Sequence, residues 1–433
     1  MQVKRILVLG NGGREQALSE AYAKSRGVKQ VYVLPGNGLV GVANKKVTAL
    51  TDEKSDYKAV LAVCRKYAVD LVDVAQDSFL ADGLADKLQN AGILAFGPTQ
   101  KASEIEWSKE YSRKFMQKYH LPSPRFASFS DVQKARSYLS GLPEQPLYIK
   151  ASGLALGKGA IRADNKKEAV VAISEMQKFG PAGQTFLIEE CMTGEEFSYF
   201  VICDGQDFVT VGAAQDHKTV LNQDRGENTG GMGAVAPCGI VSAKIAREVE
   251  QKIIKPFLLG MAKEGRAYSG VLYAGCMLTQ TGVKIVEFNA RWGDPEAEVL
   301  LPAIQSDYLS IVMAVLEKRL GRAKITVDTK TRVSVAGSSS GYPEDYSAVK
   351  GKKISGLEKA AALPGVLLFG SGIVKKQRVF LANGGRVFHL VGVGDSLVEA
   401  RERVYAAMSM VYIEGNNLQF RTDIGWRDME RTL

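Results

Sequence analysis

Residues 3–9 are a short β-branched and leucine run that ends in the glycine-rich 10–13. Residues 14–26 then carry apolar positions at Ala17, Leu18, Ala21 and Tyr22, and Gly27 stops the pattern. A buried run followed by helical spacing predicts strand, loop and helix. Residues 31–34, 71–74 and 93–96 are further short apolar runs, the first followed by Pro35-Gly36-Asn37 and the last by Gly97-Pro98. Helical stretches at 56–67 and 79–90 alternate with them, which predicts a parallel α/β domain over residues 1–100.

Past Pro98 the texture changes. A charged helix is expected around 101–119, then a break at 121–124, then strands at 147–150, 159–163, 185–190, 196–203 and 208–214 that pair as hairpins. Asp204-Gly205 is the turn between the last two. Helices near 242–264 and 306–320 enclose strands at 270–278 and 283–289. From about 326 the chain returns to strands (331–336, 366–374, 378–382, 386–391), with Asn383-Gly384-Gly385 as a turn. Ser396 and Glu399 form a capping box for a helix with Leu397, Val404, Tyr405 and Met408 on one side. The fold class is therefore α/β and α+β multidomain, with a central, mostly antiparallel region at 101–325 and a C-terminal α+β domain at 326–433.

Composition narrows the partners. The 433 residues suggest about three domains, and 45% apolar with 24% charged residues is ordinary globular composition. Cys64, Cys191, Cys203, Cys238 and Cys276 are odd in number and scattered, which suits reduced thiols rather than disulfides or structural zinc. No apolar run approaches the roughly 18 residues of a membrane span, and the N-terminal run is too short for a signal segment, so a soluble, cytoplasmic chain is expected. Net charge is +9, which favours anionic partners. Nine basic and four acidic residues lie between 317 and 353, dispersed and without aromatic interleaving. A solvated surface explains them better than a nucleic-acid stripe.

Several stretches could carry chemistry. Gly10-Asn11-Gly12-Gly13 between strand and helix leaves amides free to face a phosphate, although a tight structural turn has the same pattern. Glu15 stands where the dinucleotide fingerprint needs glycine, which disfavours NAD. Lys150-Ala151-Ser152-Gly153-Leu154-Ala155-Leu156-Gly157-Lys158-Gly159 brackets glycines with lysines between two strands. That suits a hairpin flap over a triphosphate better than a Walker A loop, which needs four residues between its glycines and a helix after them. Glu189, Glu190 and Glu196 stand at strand ends, where carboxylates could take ribose hydroxyls and the 190–192 main chain an adenine edge, although surface glutamates are the commoner explanation of such a pattern. In 283–289, strict alternation puts Glu287 and Asn289 on the side of Val283 and Ile285, opposite Val286 and Phe288. Both sides look buried, so an ionised Glu287 needs a cation or strong donors, and carboxylate and amide oxygens are hard ligands suited to Mg²⁺, although a lone Glu-x-Asn more often binds no metal. Arg291-Trp292-Gly293-Asp294 follows, with either a guanidinium beside the metal or an Arg-Asp bridge fixing a turn. Residues 215–218 and 225–233 form a long polar, glycine-rich connection of the kind that is often functional. His120 and His389 read as structural.

Taken together, GNGGRE at 10–15, PGN at 35–37, KASGLALGKG at 150–159, EECMTGEE at 189–196, QDHK at 215–218, NTGGMGA at 228–234, EFNARWGDPEAE at 287–298 and FRTDIG at 420–425 resemble the glycinamide ribonucleotide synthetase family. The resemblance spans nearly the whole chain. It implies an ATP-grasp ligase with a flap subdomain at about 123–192, in which ATP and glycine form glycyl phosphate and the amine of 5-phosphoribosylamine displaces phosphate. It implies catalytic roles for Arg291, Lys158 and Asp216, and Mg²⁺ or Mn²⁺ on Glu287 and Asn289. ATP would be held by Lys150, Lys158, Gly157, Gly159, Glu189, Glu190, Met192 and Glu196. The acceptor, glycine and acyl phosphate would face Gly10, Gly12, Gly13, Arg14, Glu15, Asp216, His217, Lys218, Asn228, Thr229, Gly230, Gly231, Arg291, Gly293 and Asp294. Small molecules are the only partners implied, for a monomer or weak homodimer without nucleic acid or membrane.

Departures bear on the acceptor. The family's Gly-Arg-Glu-His is Gly13-Arg14-Glu15-Gln16 here, its Gly-Pro-Glu is Ala75-Gln76-Asp77, its flap Asp is Ser152, and its His-Ala-Gly-Thr is Phe369-Gly370-Ser371-Gly372. A ligase with another acceptor, or a nucleotide-binding regulator without turnover, remains an alternative at this point.

Overall fold

The computed structural model describes residues 4–51, 53–155 and 159–432. Lys4–Gly10, Val28–Pro35, Val47–Ala49, Leu71–Asp73 and Leu94–Phe96 form an all-parallel sheet, with Lys4–Gly10 central. The first strand reads as an unbroken apolar run because both its faces are covered. Ile6 and Val8 pack with Ala17, Leu18 and Tyr22 of helix Gly13–Lys24. Leu7 and Leu9 face the opposite cluster with Val60, Leu84 and Leu88. The helix expected at 79–90 is two, Asp77–Ala81 and Leu84–Asn90, because Gly83 has φ 70° and breaks the turn.

The charged helix at 101–119 is likewise Gln100–Trp107 and Lys109–Lys118, separated by extended Ser108, whose hydroxyl caps the second. Beyond it, Phe126–Phe129, Phe186–Glu190, Leu147–Ala151 and Ala160–Ala163 make a four-stranded antiparallel sheet. Residues 186–190 therefore do not form a hairpin with the next strand. The chain crosses at 191–194 to a larger sheet, where Glu195–Asp204 pairs with Phe208–Asp216 and Ser269–Thr279.

That larger sheet is continuous through the C-terminal region. Gly233–Ala236 links Phe208–Asp216 to Thr331–Ser339, which pairs with Arg386–Gly394 and so reaches Val366–Gly370. The strand expected at 366–374 is divided between two sheets, Val366–Gly370 and Ile373–Lys376. Ser396 caps helix Leu397–Met408 through Glu399 N–H, and Ala400, Val404, Ala407 and Met408 cover the sheet. Helix Gly13–Lys24 shares one apolar cluster with Phe200, Trp292 and Leu300. The parallel domain is thus packed directly onto the large sheet, and functional residues collect along that seam.

Among the described residues, no helix is long and apolar enough to cross a membrane.

Candidate active-site cleft

A cleft lies over the large sheet, lined by Glu196, Ser198, Asp216, Lys218, Tyr273 and Glu287. Glu287 reaches it because strand Gly282–Asn289 is bulged. Gly275 pairs with Glu287 but Cys276 pairs with Ile285, so Val286 is the extra residue. The bulge overturns the expected alternation: Val283, Ile285 and Phe288 all join the core, whereas Glu287 is exposed. Enclosure in the cleft pushes the Glu287 carboxyl up, but Lys109, Lys218, Lys150 and Arg291 outweigh it and hold the group below the ordinary glutamate range. An ionised, accessible carboxylate ringed by cations is fit to hold a divalent ion and a polyphosphate together.

Asn289 is buried beside it. Its Nδ2 has no partner among the described residues, and Oδ1 accepts from Arg291 Nη2 at 3.3 Å. An amide with unused bonding capacity two residues from Glu287 fits a metal ligand, as does the oxygen chemistry of the pair. Arg291 pairs with neither Asp294 nor Glu287. Its Nη2 lies 2.9 Å from Glu106 Oε1, and Nη1 donates to Trp292 O at 3.0 Å. Asp294 instead meets Arg386 Nη1 at 2.9 Å.

Glu189 is not free to take a ribose. It is buried, receives Arg113 through two nitrogens and lies 2.7 Å from Lys150 Nζ. Burial pushes its carboxyl up, but Arg113 and Lys150 prevail and hold it at about 2. Its oxygens are consumed in aiming Lys150. Glu190 is taken by Arg125 and Lys284, 2.8 and 3.2 Å away. Glu196 lines the cleft, and Met192 is half-buried on the crossing segment. Gly159 closes the flap base, its carbonyl accepting from Ala151 N–H at 2.7 Å. Gly157 and Lys158 lie outside the described residues.

Strand Phe208–Asp216 delivers Asp216 and then Lys218 to the cleft, and alternation turns His217 away. His217 Nε2 accepts from Gly425 N–H at 3.0 Å beneath the C-terminal segment, where burial, with Arg421 nearby, pushes its imidazole down to about 4. Nε2 is thus spent on a structural contact, while Nδ1 has no hydrogen-bond partner among the described residues. Asp216 Oδ2 pairs with Lys218 at 3.0 Å, while Oδ1 has no hydrogen-bond partner among the described residues. Burial pushes its carboxyl up to about 7, against the pull of Lys218 and with repulsion from Glu296. Thr229 N–H donates to Lys218 O at 2.7 Å, and Arg386 Nη1 donates to Gly230 O and Gly231 O, folding this loop against the Asp294 segment. Asn228 is exposed in a two-stranded ladder opposite Thr219. Gly293 sits under the Glu296 carboxylate, which a Cβ there would meet at 2.2 Å.

The turn at 10–13 differs most from expectation. Gly12 N–H donates to Glu15 Oε2 at 2.7 Å, and the Asp294 carboxylate accepts from Arg14 N–H. Glu15 also binds Arg14 Nε at 2.6 Å, and Arg14 Nη1 reaches Trp292 O. Carboxylates of the protein thus occupy amides that the sequence pattern leaves for a phosphate. Gly10 lies against Gln76 and Glu15. Gln16 is buried, and its Oε1 accepts from Gly370 N–H at 2.7 Å, so the residue that departs from the family pattern fastens the C-terminal sheet to the first helix.

Lys109, Arg113, Glu106 and Arg386 were not singled out by the sequence. The first three belong to a charged helical stretch that reads as solvated.

Family models for phosphoribosylglycinamide synthetase match the chain in order: the N domain at 4–106, the ATP-grasp (A) domain at 107–297 and the C domain at 332–427. A phosphoribosylamine–glycine ligase of Streptococcus pneumoniae is 38% identical over 97% of this chain and 99% of its own length. A trifunctional purine biosynthetic protein of Gallus gallus is 39% identical over 98% of this chain, which spans only 42% of that larger protein. The crystal structure of phosphoribosylamine–glycine ligase from Thermotoga maritima superposes with a TM-score of 0.81 at 31% identity, covering 97% of this chain and 100% of the other.

Proposed function

Because the chain belongs to the phosphoribosylglycinamide synthetase family of ATP-grasp ligases, we propose that its cleft joins glycine to 5-phosphoribosylamine at the expense of ATP. The products are glycinamide ribonucleotide, ADP and phosphate, in purine biosynthesis. The glycine carboxylate attacks the γ-phosphate, ADP leaves, and the amine attacks the resulting glycyl phosphate and expels phosphate. No protein nucleophile is needed, so catalysis is positioning and charge neutralisation.

Glu287 carries this reading: it is an open carboxylate held ionised by four cationic side chains. Glu287 and Asn289 would hold Mg²⁺, which when bound shields triphosphate charge. Lys150, aimed by Glu189, would meet phosphate oxygens, and Glu196 the ribose. Lys158 and Gly157 would complete the flap. Asp216 Oδ1 would take the proton that the amine sheds on attack, a task suited to a carboxyl pushed up to about 7. Arg291 would face developing phosphoryl charge through whatever donor capacity Glu106 leaves it. Domain limits are proposed near 100 and 325, with the four-stranded sheet as the flap subdomain.

The test is ADP release by the purified chain with glycine, 5-phosphoribosylamine and Mg-ATP, together with mass spectrometry of the product. No ADP release with this acceptor would defeat the proposal. Gln16, spent on Gly370, and Phe369 favour one variant of it, a different amine acceptor. ADP release with another amine and not with 5-phosphoribosylamine would establish that variant.

A further inference from the structure

Behind the glycine turn, two carboxylates of one short segment, Asp294 and Glu298, converge with a histidine from the C-terminal sheet without bonding to it. His389, on strand Arg386–Gly394, has no exposed surface, and neither ring nitrogen has a hydrogen-bond partner among the described residues. Its Nε2 points between Asp294 Oδ1 at 3.6 Å and Glu298 Oε1 at 3.9 Å, too far for hydrogen bonds. Glu298 is also fully buried, and both its oxygens lack a partner. One ligand atom from each residue lies within 4.8 Å of the others.

Charge counting gives this arrangement a direction. Arg386 lies 2.9 Å from Asp294 Oδ1 and offsets one of the two carboxylates. Burial, with repulsion from Asp294, pushes the Glu298 carboxyl well above the ordinary glutamate range, so a cation entering here would displace its proton. A neutral imidazole adds a lone pair and no charge. Two ligands of one zinc-class ion, each at about 2.0–2.2 Å, are separated by at most about 4.4 Å. The 3.6 and 3.9 Å from His389 fall inside that limit, and the two carboxylates, whose ligand atoms lie within 4.8 Å, need at most about 0.4 Å of movement to meet it. Mixed imidazole and carboxylate donors favour a transition ion over Mg²⁺.

The surroundings are built to leave this space. A Cβ on Gly13 would come within 2.1 Å of Glu298 Oε1 and 3.0 Å of His389 Cδ2, so only glycine lets the carboxylate and ring close over the helix start. His389 stands in the interior of the large sheet, opposite Phe369 on one side and Ala336 on the other.

We propose that Asp294, Glu298 and His389 form a binding site for one zinc-class divalent cation, distinct from the ion expected at Glu287 and Asn289. The ion ties the segment carrying Asp294 and Glu298 to the C-terminal sheet beneath the glycine turn. This inference does not rest on the proposed ligase activity.

The experiment uses the full chain, stripped by chelator and titrated with Zn²⁺ by calorimetry in buffer free of nucleotide and Mg²⁺, with Co²⁺ absorption as a report on ligand geometry. The expected result is a single Zn²⁺ that raises the melting temperature. His389→Phe and Glu298→Gln should each weaken its binding by roughly 10- to 100-fold or more and abolish the melting shift. Melting of each metal-free variant reports whether it folds. Glu298→Gln, nearly isosteric, decides the matter if His389→Phe does not fold. Absence of Zn²⁺ binding by the wild type, or equal binding by wild type and the folded variants, would overturn the proposal. Failure of the ligase reading would show separately in ADP release, with zinc stoichiometry intact.

Discussion

Glu189 and Arg113 meet in a two-pronged ion pair, Nε to Oε1 at 2.7 Å and Nη2 to Oε2 at 2.9 Å, with both side chains almost fully buried. The guanidinium also donates to Val286 O at 2.7 Å, so the smaller sheet is fastened to the bulge that presents Glu287. Glu189→Gln would leave Arg113 and Lys150 without their counter-charge. Loss of one partner of a buried pair costs about 3–5 kcal/mol, and urea unfolding should show it alongside weaker ATP binding. An unchanged urea midpoint would deny the clamp its structural role.

Glu287→Gln removes charge at an accessible position and leaves the core untouched. Turnover should fall about 100-fold or more, equivalent to about 2.7 kcal/mol of transition-state stabilisation. Stability should stay within about 0.5 kcal/mol of wild type, as for other surface changes. Steady-state ADP release at saturating Mg-ATP, paired with thermal melting, separates the two effects; full activity would remove Glu287 from the metal site.

Gln16→Ala takes away the acceptor of Gly370 N–H and leaves that buried amide unsatisfied. The expected cost is about 1–3 kcal/mol, read from chemical denaturation. A loss of activity without loss of stability would mean instead that Gln16 touches the acceptor.

Asp216 must be ionised to accept a proton, and its carboxyl is pushed up to about 7. The rate of the second step should therefore rise with pH through neutrality. Asp216→Asn should flatten that limb and slow the step by roughly 10²- to 10⁴-fold. A pH profile unchanged in the variant would assign the limb to another group.

His217 is held neutral, with a folded pKa of about 4 below the ordinary 6.5. Its contribution to stability is complete above pH 6.5 and is lost as pH falls through 4, because the unfolded chain takes up the proton first. Over that window its share of the slope is about 1.4 kcal/mol per pH unit. His217→Gln, whose Oε1 replaces Nε2 as acceptor for Gly425, should show a correspondingly shallower dependence in urea titrations between pH 4 and 7.

Legibility tracked sequence distance. The run at 3–9 and the spacing of Ala17, Leu18 and Tyr22 foretold the first strand and helix, since burial on both faces of a sheet leaves a local signature. Glu287 and Asn289 were legible as a pair of hard ligands, but not their orientation. A single extra residue at Val286 reverses the side of everything after it, and nothing in Val-Lys-Ile-Val-Glu marks where it falls. A carboxylate at a strand end, such as Glu189, looks accessible in sequence, whereas Arg113 and Lys150, which occupy it, come from other elements. His389 passed as structural since its apolar neighbours conceal the two carboxylates that face it.

The order of residues alone determined the parallel first domain, the antiparallel centre and the motifs along the seam, because periodicity, turn chemistry and glycine spacing act over a few positions at a time. Only the tertiary structure decided which charges meet. Arg113 finds Glu189 across 76 positions, Ala290 N–H finds Glu106 across 184, and Gly370 N–H finds Gln16 across 354. Electrostatic and hydrogen-bond partners are fixed by distance in space, and the packing of whole sheets sets that distance.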